Sequence, residues 1–322
     1  MSSRMKAVVW TRYGPPEVLE VHEVDRPIPR DDEVLMKVHA ASINSWDWEL
    51  LNGMAQITLG GRLRPKYNIL GCDVAGTVVE AGRSAKRFKP GDDVFGDISG
   101  SGWGGFAEFV CAKERVLALK SAKMSFEQAA ATPQAAVLAL QGLRDKGRVR
   151  SGRRVLINGA GGGVGTFAVQ VAKFYGAEVT GVDSAEKLDM LRSIGADHVV
   201  DYAKEDFTKT GQVYDLILDV VSHRSVFDYG RAMSVGGISV IIGGSPGKVL
   251  PSLLLGSWVL GSRKVRLLLL RPNPRDLAFL NELFEAGKVV PIIDRIYTFN
   301  EVIEAFRYFG KGRVKGKIVI TP

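Results

Sequence analysis

Val155-Leu156-Ile157-Asn158-Gly159-Ala160-Gly161-Gly162-Gly163-Val164-Gly165 leaves an apolar run and enters a helical one carrying Ala168, Val169, Val171 and Ala172. Its reading decides the fold. Consecutive Val, Leu and Ile without polar alternation mark a strand buried on both faces, as in a parallel sheet. The glycines permit a sharp turn into a helix whose free N–H groups can take an anion. At the spacing G-x-G-x-x-G the occupants are Ala160, Gly162 and Gly165, so alanine replaces the first glycine. The context supplies what the letters lack: a strand before, a helix after, and an acid about 20 positions later. In this reading Gly162 admits a pyrophosphate, Gly163 and Val164 open the helix, and Gly165 lets the helix pack against the sheet.

The acid is Asp183, at the tip of the next apolar strand in Gly181-Val182-Asp183-Ser184-Ala185-Glu186-Lys187. A carboxylate there accepts hydrogen bonds from the adenosine ribose hydroxyls and repels a 2′-phosphate, which favours NADH. Lys187, one helical turn on, and Ser184 suit a 2′-phosphate instead, so NADPH and NADH both remain open. Asp183 is also a natural helix N-cap.

Outward from this turn, apolar strands alternate with amphipathic helices: Arg154–Asn158, Gly163–Tyr175, Glu178–Val182, Ala185–Ile194, His198–Val200, Tyr214–Asp219, Ser225–Met233 and Gly237–Ile242. That order is α/β, a doubly wound parallel sheet covered on both faces. Upstream, from Lys6 to about Ala118, short strands such as Glu33–Ala41, Val74–Ala81 and Asp93–Gly96 are separated by Gly, Pro and Asp turns, the texture of a β-rich domain. Ser125 and Gln128 form a capping box that opens the helical part. Beyond Asn273 come a helix (Pro274–Ala286), a strand (Ile292–Tyr297), a helix (Asn300–Phe309) and a last strand (Lys317–Ile320).

The chain has 322 residues, a length for about two domains. Its 46% hydrophobic and 24% charged content excludes wholesale disorder and fibrous repeats. The net charge of +8 is scattered rather than run into a basic, aromatic-interleaved patch, which argues against a nucleic-acid partner. Two cysteines, Cys72 and Cys111, exclude a disulfide framework and a four-cysteine zinc lobe. No apolar run of signal-peptide length opens the chain, and charges and glycines interrupt the apolar stretch Val249–Leu270. A cytoplasmic protein without a membrane partner is the expectation.

Tyr13-Gly14-Pro15-Pro16-Glu17-Val18-Leu19, Ala40-Ala41-Ser42-Ile43-Asn44, Gly71-Cys72-Asp73-Val74-Ala75-Gly76, Arg87-Phe88-Lys89-Pro90-Gly91-Asp92, Gly195-Ala196-Asp197-His198-Val199-Val200-Asp201-Tyr202 and Gly316-Lys317-Ile318-Val319-Ile320 stand in this order around the glycine-rich turn. With that order and spacing the chain resembles the medium-chain dehydrogenase/reductase superfamily, in its zinc-independent quinone-oxidoreductase-like branch. The resemblance implies a Rossmann domain inserted into a GroES-like β-rich catalytic domain: residues 1–124 as its first part, 125–272 as the Rossmann domain, and 273–322 as the return. It also implies NADPH or NADH as hydride carrier.

Zinc alcohol dehydrogenases of the superfamily place a cysteine where this chain has Asn44 and a His-Glu pair where it has Cys72-Asp73, and His22, His39, His198 and His223 supply no metal pattern. The expectation is a site without zinc, in which hydrogen-bond donors polarise the substrate oxygen. The resemblance points to Asn44, grouped with Asp47, as catalytic; to Tyr202 against the adenine; and to Gly243, Gly244 and Ser245 at the nicotinamide. Many relatives carry a tyrosine where Glu49 stands. Trp46 and Trp48 read equally as a stacking wall for a quinone or as core, and Leu59–Lys66 as a solvated loop, with a lining of the substrate mouth as the alternative. The expected reaction is hydride delivery to a quinone or α,β-unsaturated carbonyl. An alcohol dehydrogenase or carbonyl reductase, and a catalytically silent nucleotide-sensing or RNA-binding relative, are the alternatives. An edge strand within Val249–Leu270 predicts a homodimer.

Overall fold

The computed structural model describes residues 4–54, 64–243 and 261–322. It divides into two compact units, one of Met1–Gln134, Pro272–Glu285 and Pro291–Pro322, the other of Ala135–Arg271 and Ala286–Val290.

The first unit is built on a seven-stranded sheet. Its order along the sheet is Ile293–Thr298, Lys317–Thr321, Glu33–Ile43, Asp73–Ala81, Asp93–Asp97 and Leu117–Leu119, with Phe109–Lys113 also paired to Glu33–Ile43. Leu117–Leu119 is a strand that the short apolar run around it did not announce. The long strand Glu33–Ile43 is the organiser. It lies antiparallel to Asp73–Ala81, with Ser42 opposite Asp73, and to the last strand, with Ile43 opposite Ile318. Asp73 faces Asp97 on the next strand. The register therefore brings residues 42–44, 72–73, 97 and 317 to one end of neighbouring strands. A separate pair, Arg4–Val9 with Glu20–Asp25, completes the β structure. Trp10, Met36, Ile43, Leu50, Phe106 and Phe306 are among the side chains of one apolar core.

The second unit holds six parallel strands among the described residues, ordered His198–Asp201, Glu178–Asp183, Arg154–Asn158, Tyr214–Asp219, Met233–Ile241 and Lys264–Leu267. In chain order this is 3-2-1-4-5-6, the doubly wound arrangement whose switch point lies between the first and fourth strands. Those two strands pair parallel, with Asp219 opposite Asn158. Two elements depart from expectation. The strand read from Gly237 starts at Met233, and the helix read over Ala185–Ile194 is a 3-10 turn, Ala185–Lys187, followed by an α-helix, Leu188–Ser193. Of the apolar stretch 249–270, residues 249–260 lie outside the described residues, as do 59–63 of the 59–66 loop. No described helix is long and apolar enough to cross a membrane.

Candidate functional site

In the second unit the strand Arg154–Asn158 runs into the turn Gly159–Gly162 and the helix Gly163–Phe174. Gly159 has φ +84, a conformation open to glycine. The helix's backbone ladder begins with Thr166 N donating to Gly162 O at 3.0 Å. The amides of Gly163, Val164 and Gly165 precede that bond, as the first turn of any helix requires, and are the donors an anion meets. A Cβ on Gly165 would stand 2.1 Å from Gly159 O and 2.5 Å from the Ala160 backbone, so only glycine lets this helix approach the turn. Gly162 differs: a Cβ there would meet nothing nearer than Gly159 O at 3.7 Å. Space beside Gly162 is open, as a bound phosphate requires. Ala160 is buried in place of the usual first glycine.

Asp183 does not stand free at its strand tip. Its Oδ2 accepts from Gly161 N at 2.7 Å, its Oδ1 accepts from Ser184 N at 2.9 Å, and Lys187 Nζ lies 3.3 Å from Oδ1. Both side chains are buried. The carboxylate therefore braces the glycine-rich turn, and the adjacent ammonium offsets its charge. A Cβ on Gly161 would strike the Lys187 stem at 2.5 Å, which explains a third glycine in the turn. The Tyr202 backbone donates to Asp183 O at 3.2 Å while its ring is 58% exposed, a flat face available to an adenine. A Cβ on Gly243 would stand 2.8 Å from Val220 O, too close to fit without a shift. Gly244 and Ser245 lie outside the described residues.

Sequence reasoning missed Asp219, the fully buried end of the fourth strand. Its Oδ1 accepts from Asn158 Nδ2 at 3.0 Å, Val221 N at 3.1 Å and Ser222 N at 2.7 Å, and its Oδ2 accepts from the Tyr229 hydroxyl. One carboxylate thus ties the first strand's end to the loop after the fourth, fixing both sides of the switch point. The signal was an acid closing an otherwise apolar strand, Tyr214–Asp219.

The first unit carries a buried polar cluster. Asn44 follows the strand Glu33–Ile43 and caps the helix Ser45–Leu51, an element the sequence analysis did not assign. Asp47 reaches back to accept from Asn44 N at 2.8 Å and accepts from Gly71 N at 2.8 Å with its other oxygen. It pins both the Asn44 backbone and the turn before Cys72. Burial pushes the Asp47 carboxyl up to about 7, opposed by those two amides and by Lys317.

Asn44 Nδ2 donates to Cys72 Sγ at 3.3 Å, and Lys317 Nζ donates to Asn44 Oδ1 at 2.5 Å. The same ammonium lies 3.6 Å from Asp73 Oδ2. Gln134 N donates to both Asp73 oxygens at 3.1 Å, and Gln134 Nε2 to Cys72 Sγ at 3.5 Å. Burial pushes Asp73 up to about 7 and Asp97 upward, while Lys317 pulls both down. The Cys72 thiol is driven well up by burial and by the neighbouring Asp47, Asp73 and Asp97. Trp46 and Trp48 pack against the apolar core, Trp48 with its ring 6.2 Å from that of Phe309, so core packing is their role here. Glu49 is partly buried, which raises its carboxyl.

Cys72, Asp73 and Asp97 each place one donor atom within 4.8 Å of the others, the one such group among the described residues. Zinc takes thiolate, imidazole or carboxylate donors; this group offers one cysteine and two carboxyls, no histidine among the described residues joins it, and the Lys317 ammonium lies 3.6 Å from Asp73 Oδ2. His39 instead meets Thr77 Oγ1 at 3.0 Å, His22 pairs with Glu20 and His198 with Glu178.

Comparison with known proteins places these features in context. Residues 30–122 match the alcohol dehydrogenase GroES-like domain, and residues 194–320 the family described as zinc-binding dehydrogenase. The chain is 35% identical to a tomato (Solanum lycopersicum) 2-methylene-furan-3-one reductase, over 99% of this chain and 80% of the relative. It is 33% identical to an NADPH-dependent alkenal/one oxidoreductase, chloroplastic, of Arabidopsis thaliana, over 99% and 80%. Among solved structures, the quinone oxidoreductase from Coxiella burnetii superposes with a TM-score of 0.90 at 30% identity, covering 99% of this chain and 100% of that one.

Proposed function

We propose, for a chain that belongs to the quinone-oxidoreductase-like branch of the medium-chain dehydrogenase/reductase superfamily and is an NAD(P)H-dependent oxidoreductase, that it reduces the conjugated double bond of an enone or alkenal, or a quinone, without a metal. The observation that carries the reading is the Asn44 carboxamide. Its oxygen is taken by Lys317, and its NH2 faces the Cys72 sulfur and the Asp73 carboxyl, so a substrate oxygen that displaces the Asp73 contact meets that N–H as a donor. A donor fixed before the reaction stabilises negative charge as it develops on that oxygen.

The bound nicotinamide supplies a hydride. The amides of Gly163, Val164 and Gly165 hold the pyrophosphate, Asp183 and Lys187 keep the turn in shape, and Tyr202 covers the adenine. Ser184 and Lys187 lie where a 2′-phosphate would be met. Offset by Lys187, Asp183 repels that phosphate less than an isolated carboxylate would, so both NADPH and NADH are accepted, with NADPH favoured. Asn44 binds and orients the carbonyl oxygen, and Asp47 holds Asn44 in place. Gly243 to Ser245, a homodimer joined through the strand Lys264–Leu267, and a cytoplasmic setting complete the reading.

The test is turnover of NADPH against a panel of enones, alkenals and quinones in the presence of a strong chelator. Turnover with several of them supports the reading. Loss of turnover that zinc restores would replace it with an alcohol-dehydrogenase mechanism.

A further inference from the structure

Lys317 is 3% exposed, yet it carries an ammonium. It lies in the last strand, Lys317–Thr321, whose other residues are apolar or at the chain's end. A buried lysine is costly unless its donors are met by acceptors and its charge by a partner. Here Asn44 Oδ1 and Asp73 Oδ2 meet both needs, at 2.5 and 3.6 Å.

An ammonium has three donors and no acceptor. Facing it, a carboxamide has one stable orientation: oxygen toward the nitrogen, NH2 away. The two ends of an asparagine amide are nearly equal in shape, so packing alone does not choose between them. The donor-only neighbour does. It directs Asn44 Nδ2 toward Cys72 Sγ and the Asp73 carboxyl, and the N–H on Asp73 is the one a substrate oxygen would take over. With an acceptor in place of Lys317, the amide would turn and offer an oxygen where the proposed reaction needs a donor.

The charge balance points the same way. Asp47, Asp73 and Asp97 surround one cation, Lys317, whose charge lowers the pKa of all three carboxyls. A divalent cation drawn to Cys72, Asp73 and Asp97 would sit a few ångströms from a buried ammonium, where like charges repel strongly.

We propose that Lys317 is the fixed cation of this site: it sets the orientation of the Asn44 carboxamide and fills the electrostatic place that a metal ion would otherwise take. This makes Lys317 a positioning residue, acting through Asn44, and the inference rests on the reading of Asn44 as the donor to substrate.

The experiment is a double-mutant cycle with Lys317→Met and Asn44→Ala in the full chain, read as kcat and KM for an enone and as NADPH affinity by fluorescence. Lys317→Met should lower kcat about a hundredfold, the usual effect of losing one oxyanion donor, with NADPH affinity unchanged. The double variant should be no slower than Asn44→Ala, because both remove one device. Additive losses, or an unaffected Lys317→Met, would overturn the proposal. Lys317→Arg, which keeps a donor-only cation, should retain more kcat than Lys317→Met. If Lys317→Met does not fold, Lys317→Met with Asp73→Asn removes both charges together and carries the same reading.

Two further readouts do not depend on turnover. In 15N-asparagine-labelled protein, the Asn44 side-chain amide should exchange slowly in the native chain and faster in Lys317→Met; equal exchange overturns the proposal. Titration with Co2+ should give no thiolate-to-metal absorption in the native chain, and uptake of one ion per chain overturns it. A native chain that reduces no enone or quinone, yet shows the protected amide and rejects Co2+, would defeat the functional reading while leaving Lys317's role standing.

Discussion

Lys317 and Asn44 are 273 positions apart, and the ammonium of the one donates to the side-chain oxygen of the other at 2.5 Å. The last strand of the chain therefore completes a site that begins on its third strand. Because Ile318 lies opposite Ile43 in an antiparallel pair, the register delivers Lys317 beside Asn44. A one-residue slip would turn each side chain to the other face of the sheet.

Asp47 makes the fold's stability depend on pH. Its carboxyl ordinarily titrates near 3.8 and is raised to about 7 here, mainly by burial, with the Asn44 and Gly71 amides and Lys317 opposing and Asp97 reinforcing. Between those values the folded chain holds a proton that the unfolded chain has lost. Stability from this group therefore falls as pH rises through that window and is fully lost above it. The melting temperature should decline from pH 5.5 to pH 8, and Asp47→Asn should flatten the decline even though it lowers the whole curve. An unchanged slope would contradict the assignment.

Two glycines in one turn should fail differently. Gly165→Ala forces a Cβ to 2.1 Å from Gly159 O, so it should lower the melting temperature and weaken cofactor binding together. Gly162→Asp meets no protein atom closer than 3.7 Å at its Cβ, so the chain should stay folded while the carboxylate repels the pyrophosphate. Fluorescence titration should show NADPH binding abolished in Gly162→Asp with little change in melting. Retained affinity would place the phosphates elsewhere.

Cofactor choice turns on the Asp183–Lys187 pair, 3.3 Å apart. Asp183→Ser removes a negative charge and releases the Lys187 ammonium. It also strips the Gly161 amide of its acceptor. Affinity for both nucleotides should fall, but the ratio of NADPH to NADH affinity should rise; Lys187→Ala should lower that ratio. A shift toward NADH in Asp183→Ser would show that this side chain does not face the ribose.

The strand Lys264–Leu267 pairs on one side with Met233–Ile241 and ends the described sheet. A strand at a sheet edge is normally paired or covered. Sedimentation at micromolar concentration should give twice the 35.0 kDa chain mass. Leu269, 69% exposed, is the residue to alter, since Leu268 is buried within its own unit and would report on folding instead. Leu269→Lys should shift the equilibrium toward monomer, and a native species of 35.0 kDa would contradict the dimer.

The parallel sheet was readable because its signals are local: apolar runs, a glycine turn, an acid at the next strand tip. Arg154–Asn158 and Tyr214–Asp219 were placed to the residue. Asn44 was singled out with Asp47, but its helix was not, because the seven residues Ser45–Leu51, with two tryptophans, are too short to show a helical period. Lys317 and Gln134 escaped notice because their partners are distant in sequence, set for Lys317 by strand register and for Gln134 by the packing of the helix Pro133–Gln141. A lone lysine opening an apolar closing strand was the one available hint. Asp183 was found for its position, but the two amides that donate to its oxygens, Gly161 N and Ser184 N, are visible only in three dimensions.

The most direct measurement of the central claim is reaction of the chelator-treated protein with [4-2H]NADPH and an α,β-unsaturated ketone, followed by analysis of the product. The account predicts one cofactor oxidised per double bond reduced, with deuterium on the β-carbon and the carbonyl intact. Deuterium on the carbonyl carbon of an allylic alcohol, or tight NADPH binding with no oxidation by any enone or quinone, would contradict it.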